Sequence, residues 1–210
     1  MTIVSSSVRR GLVATLLTAT VTAAGFLGAT STAAAAPSTT DLSCKGQGVD
    51  SSAKIRYGTE KFIKAPISKI WRLQTDIARW PSWQAPVTTA KRLDHGPLRA
   101  GSAFVWTTPA PPTPTTPATV LTITSTVQQA RHNTCLRWTG PAIGTGLKID
   151  KGTHVWNFVP VRGGTLVRTE ETWNGAQVEA DTALSTTMLG MGLEAWLNDL
   201  KAAAEHLSCG

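Results

Sequence analysis

Apolar and polar positions alternate over residues 54–63 and again from Val87 to about residue 175; a helical period lies between the two and returns beyond 175. A strand-like run, Lys54 to Ile63, places Ile55 and Tyr57 on one side. Ala65-Pro66 ends it, and Pro66 suits the first turn of a helix, whose fixed φ it matches. Ile67, Ile70, Trp71 and Ile77 then recur at helical spacing, until Trp80-Pro81-Ser82-Trp83 breaks the helix and starts a short second one. Strands follow at Val87 to Leu93 and Gly101 to Thr108. Further period-two runs carry Leu121, Ile123 and Val127; Leu136 and Trp138; His154, Trp156 and Phe158; and Val167, Thr169, Glu171 and Trp173. Such alternation predicts an antiparallel sheet with one buried face. Gly163-Gly164 between the last two runs marks a hairpin. From Gln177 to about Leu207 no proline occurs. Leu184, Met188, Met191 and Ala195 form one stripe of a long amphipathic helix, flanked by Leu189, Leu193, Trp196, Leu197 and Leu200, with Gly190 and Gly192 as weak points.

Two stretches depart from this pattern. Residues 109–117 hold five prolines and read as a stiff, extended hairpin tip rather than a docking motif for a protein partner. At the other extreme, Arg9 and Arg10 precede an apolar, Thr- and Gly-diluted run from Leu12 to about Leu27. The cluster Ala33-Ala34-Ala35-Ala36 follows. That is the layout of a cleavable export signal, with the cut expected between Ala35 and Ala36. Ser7-Val8-Arg9-Arg10 resembles a twin-arginine signal, and the general secretory route fits equally well. The run is short and weakly apolar for a membrane span, and Asp41-Leu42-Ser43 before Cys44 matches a lipid-anchor site poorly, so no stable membrane anchor is expected. The resulting division is a leader over 1–35, a flexible segment over 36–52, and one domain over 53–210.

Composition narrows the function classes. About 175 residues remain after the leader, enough for one domain with a sizeable core. The formal charge of +7 falls by two with Arg9 and Arg10. The other cations are scattered, without the clustered basic stripe that nucleic acid needs, so no nucleic-acid partner is expected. His95, His132, His154 and His206 are dispersed and no Cys-x-x-Cys occurs; no metal, and no cofactor of any kind, is expected. Export permits a disulfide. Cys44 and Cys209 flank the domain and are the expected pair, which leaves Cys135 as a half-buried free thiol.

Several segments together carry a family resemblance: APISKIWRLQTDIARWPSW (65–83), LRAGSAFVWTT (98–108), LRWTG (136–140), HVWNFVP (154–160), GGTLVRTEETWNG (163–175) and GLEAWLNDLKAAAE (192–205). In this order they resemble the START-like, or SRPBCC, superfamily near its polyketide cyclase/dehydrase branch, over roughly residues 53–207. The resemblance implies an α+β helix-grip fold. A curved antiparallel sheet of about seven strands would wrap a long C-terminal helix, with two short helices after the first strand and a cavity between sheet and helix.

Strand parity supplies the expected lining: Phe104, Trp106, Trp138, Trp156, Phe158 and Trp173 on the concave face, with Met188 and Met191 opposite on the helix. Any one of these aromatics is also ordinary core filler. His154 and Glu171 share the inward parity and are the candidate acid/base residues. The structural alternative pairs Glu171 with a cation at the cavity mouth and His154 with backbone. Three functions follow in order: an exported binding protein for a hydrophobic or aromatic small molecule, lipid or polyketide-like; a cyclase/aromatase-type enzyme using Glu171 and His154; and an envelope interaction module whose protein partner the sequence does not identify.

Overall fold

The computed structural model describes residues 42–206. The expected leader and Cys209 lie outside that range. Seven strands form one antiparallel sheet: β1 (Ile55–Ile63), β2 (Thr89–Arg92), β3 (Ala103–Ala110), β4 (Thr119–Arg131), β5 (Cys135–Gly144), β6 (Leu147–Val161) and β7 (Gly164–Asn174). Their order across the sheet is β1-β7-β6-β5-β4-β3-β2. Between β1 and β2 come helix α1 (Ile67–Thr75) and a 3₁₀ helix (Ile77–Ser82). The chain ends in the single turn α2 (Ala176–Glu179) and the long helix α3 (Thr182–His206). This is the expected helix-grip architecture, with its two short helices after the first strand.

The sheet must bend to hold α3, and two irregularities let it. The register of β4 against β5 shifts between Val127 and Gln129, and that of β5 against β6 between Gly140 and Ala142. An extra residue on one strand raises the local twist and curls the sheet. Crowding at the second place demands a bare backbone, since a Cβ on Gly140 would come within 1.9 Å of the Thr124 carbonyl oxygen. Gly175, with φ of 146°, turns the chain from β7 into α2 against Asp150, a conformation open to glycine alone.

Helix α3 presents Leu189, Leu193, Trp196, Leu197, Leu200 and Ala204 to the sheet. Gly190 sets its closest approach: a Cβ there would meet the Tyr57 ring at 2.8 Å. This docking corrects the sequence-based stripe. Met191 lies a full 100° step from Gly190 and is 63% exposed, so it faces solvent and not the cavity.

The core has two ends. One is densely packed beneath α1 and the 3₁₀ helix, around Trp80, Phe104, Trp138, Trp156 and Phe158. The other is made of smaller aliphatic side chains, among them Ile55, Leu121, Ala142, Ile149, Leu189 and Leu193. On the convex side, residues 42–50 lie across β5, β6 and β7. Asn157 donates to the Ser43 carbonyl (2.8 Å), Arg137 Nε to that of Gly48 (2.9 Å), and the Asp50 N–H to Thr172 (3.3 Å). A Cys44–Cys135 disulfide fastens this strap to β5. The expected Cys44–Cys209 pair is therefore corrected, as is the free thiol at Cys135. The strap lays Cys44 directly over the start of β5, and both cysteines are buried there.

Candidate functional site

A cavity of about 600 Å³ lies between the aliphatic end of the sheet, α2 and the N-terminal half of α3. Its walls follow from strand period. Ile123 on β4, Ala142 on β5 and Ile149 on β6 are cross-strand partners in sequence across the sheet, and all three line it. Residues of this size leave room that the tryptophans fill at the other end of the core. Met188 and Leu184 close the helix side. The proline-rich tip folds over the rim: Pro109, Pro111, Thr113 and Thr116 contribute to the lining. Thr113 holds the tip in a local turn, its hydroxyl accepting the Thr116 N–H at 3.0 Å.

The aromatic residues expected to line a cavity divide into two groups. Trp106 and Trp173 do so. Phe104, Trp138, Trp156 and Phe158 are instead buried in the packed end, beyond the lining. Their strand parity is inward as expected, but α1 and the 3₁₀ helix cover that part of the concave face. Trp80 is the plug, with ring centroids 5.0 Å from Trp196, 5.4 Å from Phe104 and 6.0 Å from both Trp106 and Trp138. Trp196, from α3, belongs to this plug and to the cavity wall alike. Helical spacing puts Trp196 beside the stripe and assigns it no site role; nor does it single out Gln84 or Gly152, which also line the cavity. Gln84 lies in a loop, where no periodicity gives its direction.

Glu171 and His154 are brought together. They are direct cross-strand partners on β7 and β6, and His154 Nδ1 lies 3.0 Å from Glu171 Oε2. This differs from the cation pairing and backbone bonding of the structural alternative. His154 Nε2 is 2.6 Å from the Thr169 hydroxyl, which reaches the Val155 carbonyl at 3.3 Å. Trp173 Nε1 donates to Glu171 Oε1 at 2.9 Å. The His154 ring sits 4.8 Å from both Trp138 and Trp156, at the border of the packed core. Burial disfavours the charged form of each partner. It pushes Glu171 from 4.5 up to about 7, against the pull of the Trp173 N–H, and lowers His154 from 6.5 to about 3. Both directions fit one arrangement of the 3.0 Å contact, a neutral carboxylic acid donating to a neutral imidazole. In that tautomer the imidazole Nε2–H donates to the Thr169 hydroxyl, which donates to the Val155 carbonyl, and every donor of the relay is satisfied.

These shifts set a pH profile. Unfolded, the pair also holds one proton between pH 4.5 and 6.5, on the histidine, so over that interval its contribution to stability is flat. Below 4.5 the unfolded chain gains a second proton that the native pair refuses, and stability falls by about 2 kcal/mol on approaching pH 3. Above 6.5 the unfolded pair gives up its proton while the native one keeps it to about 7, and stability declines slightly. In Glu171→Gln only His154 titrates. Its acid decline should begin near 6.5 instead of 4.5, and the decline above 6.5 should vanish. Urea unfolding of both proteins across this range checks it; identical profiles would refute this arrangement.

The family model described as "Polyketide cyclase / dehydrase and lipid transport" matches residues 54–205. A comparison with curated proteins finds no match. Among solved structures, a protein from Thermus thermophilus is 17% identical, with a TM-score of 0.57 over 73% of this chain and 99% of its own. A START superfamily protein from Mycobacterium smegmatis is 14% identical with the same TM-score, again over 73% of this chain and 99% of that one. The di-domain ARO/CYC StfQ from the steffimycin biosynthetic pathway is 16% identical at a TM-score of 0.55, over 73% of this chain and 51% of its own. Identities this low show a shared fold. With a family model matched from β1 nearly to the end of α3, on the helix-grip architecture described above, the chain belongs to the polyketide cyclase/dehydrase and lipid transport family of the START-like superfamily.

Proposed function

We propose that this is an exported binding protein that holds a hydrophobic or aromatic small molecule between the sheet and α3. The observation that carries the reading is the cavity itself: about 600 Å³, with a lining that is mostly apolar, of aliphatic and indole side chains, interspersed with Thr, Gln and acidic groups. Pockets of this size and lining suit small-molecule ligands. Export is supported by the leader pattern of residues 1–35 and by the Cys44–Cys135 bridge, a bond that persists in oxidising compartments. Among the described residues no helix is long and apolar enough to cross a membrane.

Titration with Nile red, an uncharged apolar dye, tests the reading. Saturable binding is expected. Ala142→Phe, which fills the cavity from β5, should weaken it on the order of tenfold or more while circular dichroism stays native. Equal affinity in the two proteins would place the dye elsewhere and count against the proposal. Native mass spectrometry of protein from its own host then identifies what it carries.

A second reading is favoured by one observation. Glu171 lines the cavity, and a carboxyl raised to about 7 is poised for proton transfer near neutral pH. On that reading the Glu171–His154 pair promotes aldol-type cyclisation of a β-keto ligand. Turnover of such a substrate that is lost in Glu171→Gln supports it, and unchanged turnover removes it.

A further inference from the structure

We infer that the end of the sheet opposite the cavity docks on an anionic phospholipid surface. The inference does not depend on what the cavity holds.

The topology makes two ends. The cavity lies where β2, β4 and β6 begin and β3, β5 and β7 finish. At the other end sit the tips of the β4–β5 and β6–β7 hairpins, the loop from β2 to β3, and α1. These segments touch. Trp71 of α1 meets His132 of the β4–β5 tip and Phe158 of β6 edge to face, with ring centroids 5.6 Å away in both cases. Arg72, Arg92, Leu98 and His132 border one groove between them.

Charge differs between the ends. At the cavity end the cations Lys54, Lys148 and Lys151 are matched by the acids Asp150, Glu179 and Asp181. Lys54 pairs with Glu179 at 3.1 Å and Lys148 with Asp150 at 2.7 Å. At the opposite end Arg92 pairs with Asp94, and Lys201 with Glu205. Beyond these pairs, Arg72, Arg99, Arg131 and Arg162 are exposed and form no ion pair among the described residues. The one acid of their groove is Asp76. Positive charge is therefore in excess at this end and nearly balanced at the other.

Cations alone would suit any polyanion. The apolar side chains beside them decide for a bilayer. Phe62, Leu166 and Val159 are cross-strand partners in one row on the convex face, and Val161 follows at the hairpin turn. Phe62, Val159 and Val161 are 38–44% exposed. Arg162 stands at the tip itself, and Lys201 Nζ lies 6.0 Å from the centre of the Phe62 ring. A bilayer interface receives such a mixture: arginines meet the phosphates, and apolar tips enter the boundary between headgroups and acyl chains. A soluble polyanion gains nothing from the apolar tips. Docked this way, the protein turns its cavity away from the bilayer, and ligand enters from the aqueous side.

Flotation with vesicles tests the docking, using phosphatidylcholine alone and phosphatidylcholine with about 30% phosphatidylglycerol. The anionic vesicles should bind about tenfold or more tightly, and the preference should shrink in high salt as the charges are screened. Arg131→Gln with Arg162→Gln should weaken binding on the order of 25-fold, about fivefold for each cation. Lys148→Gln with Lys151→Gln removes the same charge from the cavity end and should weaken it by less than about twofold. Val161→Ser should cost about threefold, a loss that persists in high salt because it is apolar. Circular dichroism should stay native in all three. Equal binding to both vesicles, binding to neither, or equal losses in the two double variants overturns the docking. Unchanged binding of Val161→Ser overturns it too, since a surface that acts by charge alone is one for a soluble polyanion.

Discussion

Breaking the Cys44–Cys135 bridge is expected to cost about 4–5 kcal/mol. The two cysteines are 91 residues apart, and the chain-entropy account of cross-linking gives that figure for a loop of this length. The loss should appear as a fall in melting temperature on the order of 10–15 °C. Its mechanism is separable from packing. Cys44 and Cys135 are both buried, so serine at either site also buries a hydroxyl. Without a bond between them, the single variants would lose stability additively. With one, Cys44→Ser, Cys135→Ser and the double variant should be nearly equal, since the first substitution removes the whole constraint. The residual strap bonds, such as Asn157 to Ser43 and Arg137 to Gly48, are half-exposed and hold little alone. Urea unfolding of the three variants decides it. A loss under about 1 kcal/mol, or two free thiols at these positions in unreduced, denatured protein, would refute the bridge. The consequence for function is one of compartment. Kept reduced, the protein would lose a large part of its stability.

Trp80→Ala is the second large effect, about 3–5 kcal/mol. Trp80 is completely buried, with four aromatic rings within 6.0 Å. Its Nε1 donates to the Gln74 carbonyl at 3.2 Å, and Gln74 in turn accepts the Trp196 N–H through Oε1 at 3.2 Å. Removing the indole opens a void and frees both Trp106 and Trp196, which wall the cavity. Nile red affinity should fall along with stability. Trp80→Phe, which keeps most of the volume and loses the hydrogen bond, should cost clearly less. Chemical denaturation measures both; a deficit near zero for Trp80→Ala would show that the ring cluster does not hold the two ends of the core apart.

The recognition elements differ in how far the sequence exposes them. Glu171 and His154 are legible as inward-facing because each shares its parity with the tryptophan two residues on, Trp173 and Trp156, and a strand admits only two faces. Their contact is not legible, because register between β6 and β7 is a pairing of distant positions and has to be read from the sheet. The same parity makes Trp106 and Trp138 look equivalent, yet one lines the cavity and the other is core. What separates them is the 3₁₀ helix with Trp80, which covers only part of the concave face.

Met191 shows the limit for helices. Two adjacent apolar stripes, one through Met188 and Met191 and one through Leu189 and Leu193, both qualify as core faces at 100° per residue. The tight approach of Gly190 to Tyr57 chooses between them and turns Met191 outward. Local pattern by itself determined the succession of strands and helices, the inward set of side chains, and through their order the helix-grip fold. Tertiary structure alone decided which cysteine meets Cys44, which tryptophans close the core, how the proline-rich tip borders the cavity, and that Glu171 meets His154. Each of these depends on segments far apart in the chain meeting in space. Periodicity, a relation among near neighbours, carries no information about such meetings.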